Sequence, residues 1–202
     1  EAIAIRKQAN GPATPLYADA LNELAVLYLR MADYSRAEPI FLEVASIRKE
    51  SLGENHLAHA SALHNLGVLR ERQGDFARAE RLLKRDAEIV RQQAGESHED
   101  YAHSLSSLAF LYARMGKLDE AEPHYRRAVA ILQSHGEDDL RLVTAISNLG
   151  YLLCLQGNFS GAEPLLQKAL AARKRVQGPE HPDYADCLAD LGELYLVQGD
   201  TA

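Results

Sequence analysis

YAHSLSSLAFLYARMGKLDEAEPHYRRAVAILQSHG, residues 101–136, reads as two amphipathic helices joined by a tight turn. Leu105, Leu108, Ala109 and Tyr112 fall at i, i+3, i+4 and i+7, which is one face of a helix. The rest of the chain repeats this unit. Leu24, Leu66, Leu108, Leu149 and Leu191 are spaced by 42, 42, 41 and 42 residues, and Gly11, Gly53, Gly95, Gly136 and Gly178 keep the same intervals. One deletion, between Ile131 and Gly136, accounts for the short interval in both series. Self-similarity at a fixed period of this length is the signature of a solenoid, in which each unit buries its apolar face against its neighbours. The fold class is therefore all-α, an α-solenoid built from antiparallel helix pairs.

The repeat frame divides the 202 residues into the end of a preceding repeat (1–11), four full repeats (12–53, 54–95, 96–136 and 137–178) and the first helix of a further one (179–202). First helices are expected near 16–31, 57–73, 99–115, 140–156 and 182–198. Second helices are expected near 35–51, 77–94, 119–134 and 160–177. Residues 1–9 read as the tail of an earlier second helix, and the chain as an excised fragment, because it opens with Glu1 in mid-repeat. Small residues at the third position of the apolar face, Ala25, Gly67, Ala109, Gly150 and Gly192, let the second helix approach closely.

The turn inside each repeat carries Gly74, Gly116, Gly157 or Gly199, with Ala32 in the first. Glycine just past a helix end takes the left-handed conformation at little steric cost, so the Ala32 turn is expected to be strained or differently shaped. Ser35 with Glu38, Asp119 with Glu122 and Ser160 with Glu163 have the spacing of capping boxes for the second helices, Asp119 being a variant. Ala77 holds that place in the second repeat, where fraying is expected. Pro39, Pro123 and Pro164 follow the glutamates, early enough to cost few helical hydrogen bonds. The acids Glu137, Asp138 and Asp139 suit the start of the next helix.

Composition narrows the function. A net charge of −7 argues against general nucleic-acid affinity, which needs a cationic surface. No apolar run approaches the roughly 20 residues that span a bilayer, so no membrane partner is expected. Cys154 and Cys187 form no disulfide framework and suit a reducing compartment, so the expected location is cytoplasmic.

Leu105-x-x-Leu108-Ala109-x-x-Tyr112, then Gly116, then Ala121-x-x-x-Tyr125 resembles the tetratricopeptide repeat. The place of the usual Trp holds Leu21, Leu63, Leu105, Ile146 or Leu188. These repeats run about eight residues longer than the usual 34. With Gly178-Pro179-Glu180-His181-Pro182-Asp183-Tyr184 between repeats, they look like the kinesin light chain type. The resemblance covers essentially the whole chain. It implies a right-handed superhelix whose first helices line a concave groove for short peptides of partner proteins, acidic and tryptophan-bearing in kinesin light chains themselves. Related repeats also occur in bacterial signalling and caspase-like protease assemblies.

A search for catalytic chemistry finds little. His56, His98 and His181 share one position, held elsewhere by Thr14 and Asp139. They recur once per repeat, too far apart to ligate one ion at about 2.0–2.1 Å, and read as helix-entry residues. His56 with His59, and His98 with His103, lack a third ligand of fixed spacing. Cys154 and Cys187 read as small packing residues, with no orienting group for a Cys–His pair. No phosphate loop, serine elbow or zinc-protease helix occurs. No enzymatic activity and no cofactor are expected.

The candidate site is a peptide-binding face. Arg30, Arg72 and Arg114 form one column, continued by Leu155 and Val197. One turn earlier lie Val26, Val68, Phe110, Tyr151 and Glu193. A further turn back, Asn22, His64, Ser106 and Ser147 are placed to bond a peptide backbone. The expected partner is an acidic or carboxylate-bearing peptide, with the sign of the face reversing near Asp186 and Glu193. The alternative is a structural or self-association array, or the sensor arm of a larger signalling protein. It draws on Leu188, Leu191, Leu194 and Tyr195, expected to be exposed on the last helix. The repeat register itself is testable: Leu108→Ala is expected to lower stability by about 2–5 kcal/mol, seen as a clear fall in Tm. An unchanged Tm would show the register to be misplaced.

Overall fold

Nine α-helices run through the described residues, 14–136 and 139–199, of the computed structural model. The first helices are α1 (Pro15–Arg30), α3 (Leu57–Arg72), α5 (Glu99–Arg114), α7 (Leu140–Leu155) and α9 (Pro182–Gln198). The second helices are α2 (Tyr34–Leu52), α4 (Phe76–Gln93), α6 (Leu118–Leu132) and α8 (Phe159–Val176), with a short 3-10 turn at Gln133–His135. The expected order and register hold throughout, and the chain is an all-α solenoid of paired antiparallel helices. The expected tail of an earlier helix at 1–9, and the acids Glu137 and Asp138, lie outside the described residues. The chain forms two compact units, Glu1–Glu96 and Ser97–Ala202. In the first, α1 packs on α2, α2 on α3 and α3 on α4. In the second, α5 to α9 pack in the same sequential way, and first helices also touch the next first helix.

Each first helix opens on a residue that satisfies an otherwise orphaned backbone amide. The Nδ1 atoms of His56, His98 and His181 accept from the amides of Ala58, Asp100 and Asp183 at 3.0, 3.2 and 3.2 Å. Thr14 accepts from Tyr17 and Asp139 from Arg141 in the same role. The repeated histidines are therefore helix caps.

The second helices begin two residues earlier than the proposed capping boxes. Their caps are Asp33, Asp75 and Asn158, which accept from the amides of Arg36, Arg78 and Gly161 at 3.2, 3.2 and 3.1 Å. Ser35 and Ser160 lie inside their helices and donate their hydroxyls to Asp33 and Asn158. Lys117 holds the cap position of α6 and makes no side-chain cap bond, so Asp119 is not the cap either. In the second repeat Asp75 caps α4, and Ala77 starts no frayed end.

The core forms where the two helices of a pair approach. A Cβ built on Gly67 would stand 2.8 Å from Leu83, and one on Gly150 would stand 2.8 Å from Leu166. Ala25 holds the equivalent place in the first repeat and packs with Ala37, Phe41, Leu66 and Leu69. Two buried arginines tie successive first helices together. Arg48 of α2 bonds Asp19 of α1 at 2.9 Å and the Ala58 carbonyl of α3 at 3.0 Å. Arg173 of α8 bonds Thr144 of α7 at 3.0 Å and pairs with Asp183 of α9. Val90 and Leu132 occupy the equivalent places in the other two repeats.

The last helix differs from expectation. Leu191 and Leu194 are only 6% and 1% exposed, because this face of α9 packs on α8. The Tyr195 hydroxyl donates to Glu163 at 3.0 Å. Of the four residues expected to be exposed there, only Leu188 is.

The turn at Ala32 keeps the shape of the glycine turns. The amide of Asp33 reaches the Tyr28 carbonyl at 2.9 Å, as Asp75 reaches Arg70 and Lys117 reaches Tyr112. Ala32 therefore takes φ 57°, where Gly74 and Gly116 take 80° and 74°. A side chain in that region costs about 1–2 kcal/mol, partly offset by the lower unfolded-state entropy of alanine, about 0.4–1 kcal/mol. Ala32→Gly is accordingly expected to stabilise the first unit by about 0.5–1 kcal/mol. Denaturant unfolding would check this, and a loss of stability would contradict it.

Candidate functional site

In the first unit the candidate residues lie along α1 and α3. Asn22 accepts from the Asn65 side-chain amide at 2.8 Å, so α1 and α3 are linked at this level. His64 is half-buried, with Nδ1 3.1 Å from the Asp86 carboxylate of α4. Val26 and Val68 are half-buried, and Val26 leans on the Ala25, Phe41 and Leu66 cluster. Arg30 and Arg72 are exposed at the ends of their helices. Arg72 Nε stands 3.6 Å from the Glu71 carboxylate of the same helix.

In the second unit the aromatic pair comes together. Phe110 and Tyr151, 41% and 39% exposed, line an open cavity of about 220 Å³ between α5 and α7. Arg114, Asn148 and Leu155 line it as well, with Tyr125 of α6 among the other walls. A neighbouring cavity of about 370 Å³ lies nearer the starts of α5 and α7, lined by Ser106, Asn148 and Arg141 among others. Arg141 is occupied there, bonding Asp139 and Glu99 at 2.7 and 2.6 Å.

The polar column is only partly available. Ser106 donates its hydroxyl to the Ala102 carbonyl of its own helix at 2.9 Å. Ser147 is 7% exposed, and its hydroxyl lies 3.2 Å from the Cys187 sulfur. The adjacent column supplies what these two do not. Asn148 lines both cavities, and its register partners are Asn65, Ser107 and Asp190. Its amide can both donate to and accept from an extended backbone. The signal for it was present in the sequence, one residue along from Ser147.

The glutamates taken as capping-box partners instead reach the next repeat. Glu38 of α2 accepts from Arg70 and Gln73 at the end of α3 at 2.5 and 3.1 Å. Glu122 of α6 accepts from Gln156, just past α7, at 2.9 Å, and Glu163 of α8 accepts from Tyr195 of α9. These bonds fix the helix ends on which Arg72 and Leu155 stand. Gln73, then Arg70, holds the Glu38 carboxyl below its usual range; Gln156 and Arg126 do the same for Glu122. Elsewhere, burial leads among the causes that push the Asp190 carboxyl upward, with the Asp186 and Glu193 charges adding to it. Burial likewise pushes the Cys154 thiol up, away from thiolate reactivity.

Among the described residues no group of three or more His, Cys, Asp or Glu side chains could hold a metal ion. No described helix is long and apolar enough to cross a membrane. Within each unit the first helices lie side by side on stacked helix pairs, and in the second unit open cavities lie between α5 and α7, the arrangement of a repeat scaffold. The tetratricopeptide repeat model matches residues 16–85, 87–134 and 141–202, and the chain belongs to that family. It is a protein–protein interaction scaffold.

Among curated proteins no relative matches. Solved structures do. BtubC (BKLC) from P. vanneervenii is similar at 24% identity and a TM-score of 0.81, over 98% of this chain and 83% of that one. Nearly identical TPR-like repeats from Podosopora anserina, which carry the kinesin light chain name, are similar at 21% identity and 0.78, over 93% and 90%. The apo form of RapI is similar at 15% and 0.70, over 79% of this chain and 57% of that one. At these identities the likeness is one of fold, the long kinesin light chain-like repeat.

The bridging glutamates give the scaffold a pH dependence with a definite sign. A carboxyl held below its ordinary value of 4.5 is charged in the fold where the unfolded chain takes up protons. Its contribution is complete above about pH 4.5 and is lost as pH falls through the lower folded value. Glu38→Gln with Glu122→Gln is expected to be less stable at neutral pH and to lose less on acidification through that window. Parallel acid-limb slopes in thermal melts of variant and wild type would contradict this.

Proposed function

We propose that the chain is a docking module that holds short, extended segments of partner proteins along its first-helix faces. The observation that carries this reading is the open cavity between α5 and α7, where Phe110 and Tyr151 stand exposed instead of packing away. Burying one apolar side chain there is worth about 1.5–3 kcal/mol. Asn148 is placed to hold the backbone of the segment beside it.

For the first unit we propose a preference for acidic segments. Arg30 and Arg72 are exposed one turn beyond Val26 and Val68, so charge and apolar surface alternate along α1 and α3. Exposed ion pairs contribute about 0.2–1 kcal/mol each, against roughly 8 for micromolar binding. The arginines therefore set charge preference and association rate, and apolar contacts supply most of the affinity. Cys154 and Cys187, both free, suit work in a reducing compartment such as the cytoplasm.

The test uses an array of fluorescein-labelled peptides in which glutamate, glutamine or lysine surrounds a leucine, phenylalanine or tryptophan. Arg30→Glu with Arg72→Glu is expected to weaken binding of the glutamate peptides about tenfold and to flatten their salt dependence. A folded double variant that binds them unchanged would remove the acidic preference. Phe110→Ala leaving every peptide bound as before would remove the groove itself.

A further inference from the structure

The face of the second unit changes character from α5 to α9. On α9, Asp186, Asp190 and Glu193 fall at i, i+4 and i+7, on one side of the helix. Asp190 is half-buried, and among the described residues none of the three acids forms an ion pair. Asp190 and Glu193 line a small cavity of about 80 Å³ against α7, together with Tyr151, Leu155 and Val197. Tyr151 and Leu155 also line the larger apolar cavity beside Phe110, so the two recesses share a wall. An apolar recess thus continues into one whose far side is anionic.

We infer that this groove takes an extended peptide segment carrying an apolar side chain and, about three residues away, a lysine or arginine. The inference rests on the groove reading above and reverses, for this unit, the charge preference proposed for the first. The spacing follows from helix geometry. Neighbouring helix axes lie about 8–10 Å apart, and an extended chain covers that in about three residues at 3.3–3.6 Å each. The apolar side chain enters between Phe110 and Tyr151, and the cation lies over Asp190 and Glu193. Crowding of Asp186, Asp190 and Glu193 raises the cost of leaving them unpaired, and a cation relieves it. The long stem of lysine or arginine lies along Leu155 and Val197, which stand exposed beside the acids.

The test uses fluorescein-labelled glycine–serine peptides carrying one leucine or tyrosine and, at a spacing varied around three residues, one lysine or one glutamate. Binding is read by fluorescence polarisation at low and high salt. In an Arg30→Ala, Arg72→Ala background, which silences the acidic preference of the first unit, lysine peptides are expected to bind about fivefold tighter than their glutamate counterparts at low salt, with the difference shrinking as salt rises. Asp190→Asn with Glu193→Gln is expected to erase the difference and leave the apolar contribution in place. Peptide binding that ignores the sign of the charge, or a lysine preference that survives in the double variant, overturns this inference and spares the groove. Binding that survives Phe110→Ala unchanged, or no binding by any peptide, overturns both readings. The lysine-to-glutamate exchange is made in the peptide, so the outcome stands even if a protein variant folds poorly.

Discussion

A second helix can cover a first helix closely only where the first presents almost no side chain. Gly67 and Gly150 meet that condition against Leu83 and Leu166, where an added methyl would stand 2.8 Å from the leucine carbons. Ala25 meets it in the first repeat, inside the cluster built on Phe41. Everything else about a repeat follows from this approach. It sets the apolar face at i, i+3, i+4 and i+7 and puts the next position of the helix at the margin of the core. It also leaves one side of each first helix uncovered, the side on which Phe110 and Tyr151 stand.

Within a unit, the ties between repeats are mostly polar and sit at the edges of the apolar core. Glu38, Glu122 and Glu163 reach forward to Arg70, Gln156 and Tyr195. Arg48 and Arg173 each hold two successive first helices. A bond to a charged group contributes about 1.5–3 kcal/mol, so these few contacts matter to an array whose repeats otherwise see only neighbours. Their geometry also sets the spacing of the first helices, since the residues they hold lie near the ends of those helices.

The period made the helices legible, and all nine described helices lie within two residues of where the repeat frame puts them. Periodicity reports which residues face inward, and the first helices follow it closely. Helix starts were harder. Ser35 and Ser160 have good capping chemistry, but Asp33 and Asn158 lie two residues earlier, nearer the turn, and take the amides. Ala32 was legible as an oddity and not as a glycine mimic, because the surrounding hydrogen bonds force the turn on it. On the candidate site, Phe110, Arg114 and Tyr151 were brought together as their columns suggested. Ser147 was not, since a small hydroxyl residue reads alike whether it faces solvent or, as here, a buried cysteine on the next first helix.

The two arginine clamps carry a lesson about evolution and engineering of the array. Arg48 and Arg173 are buried, and each finds its acceptors on its own repeat and on the following one. Val90 and Leu132 fill the same slot with hydrocarbon. Shuffling the order of the repeats would therefore part the buried Arg173 guanidinium from the Asp183 carboxylate of the repeat that follows it. Successive repeats look alike in outline, yet their junctions are individually keyed. A shortened or permuted array has to be cut where the slot is aliphatic.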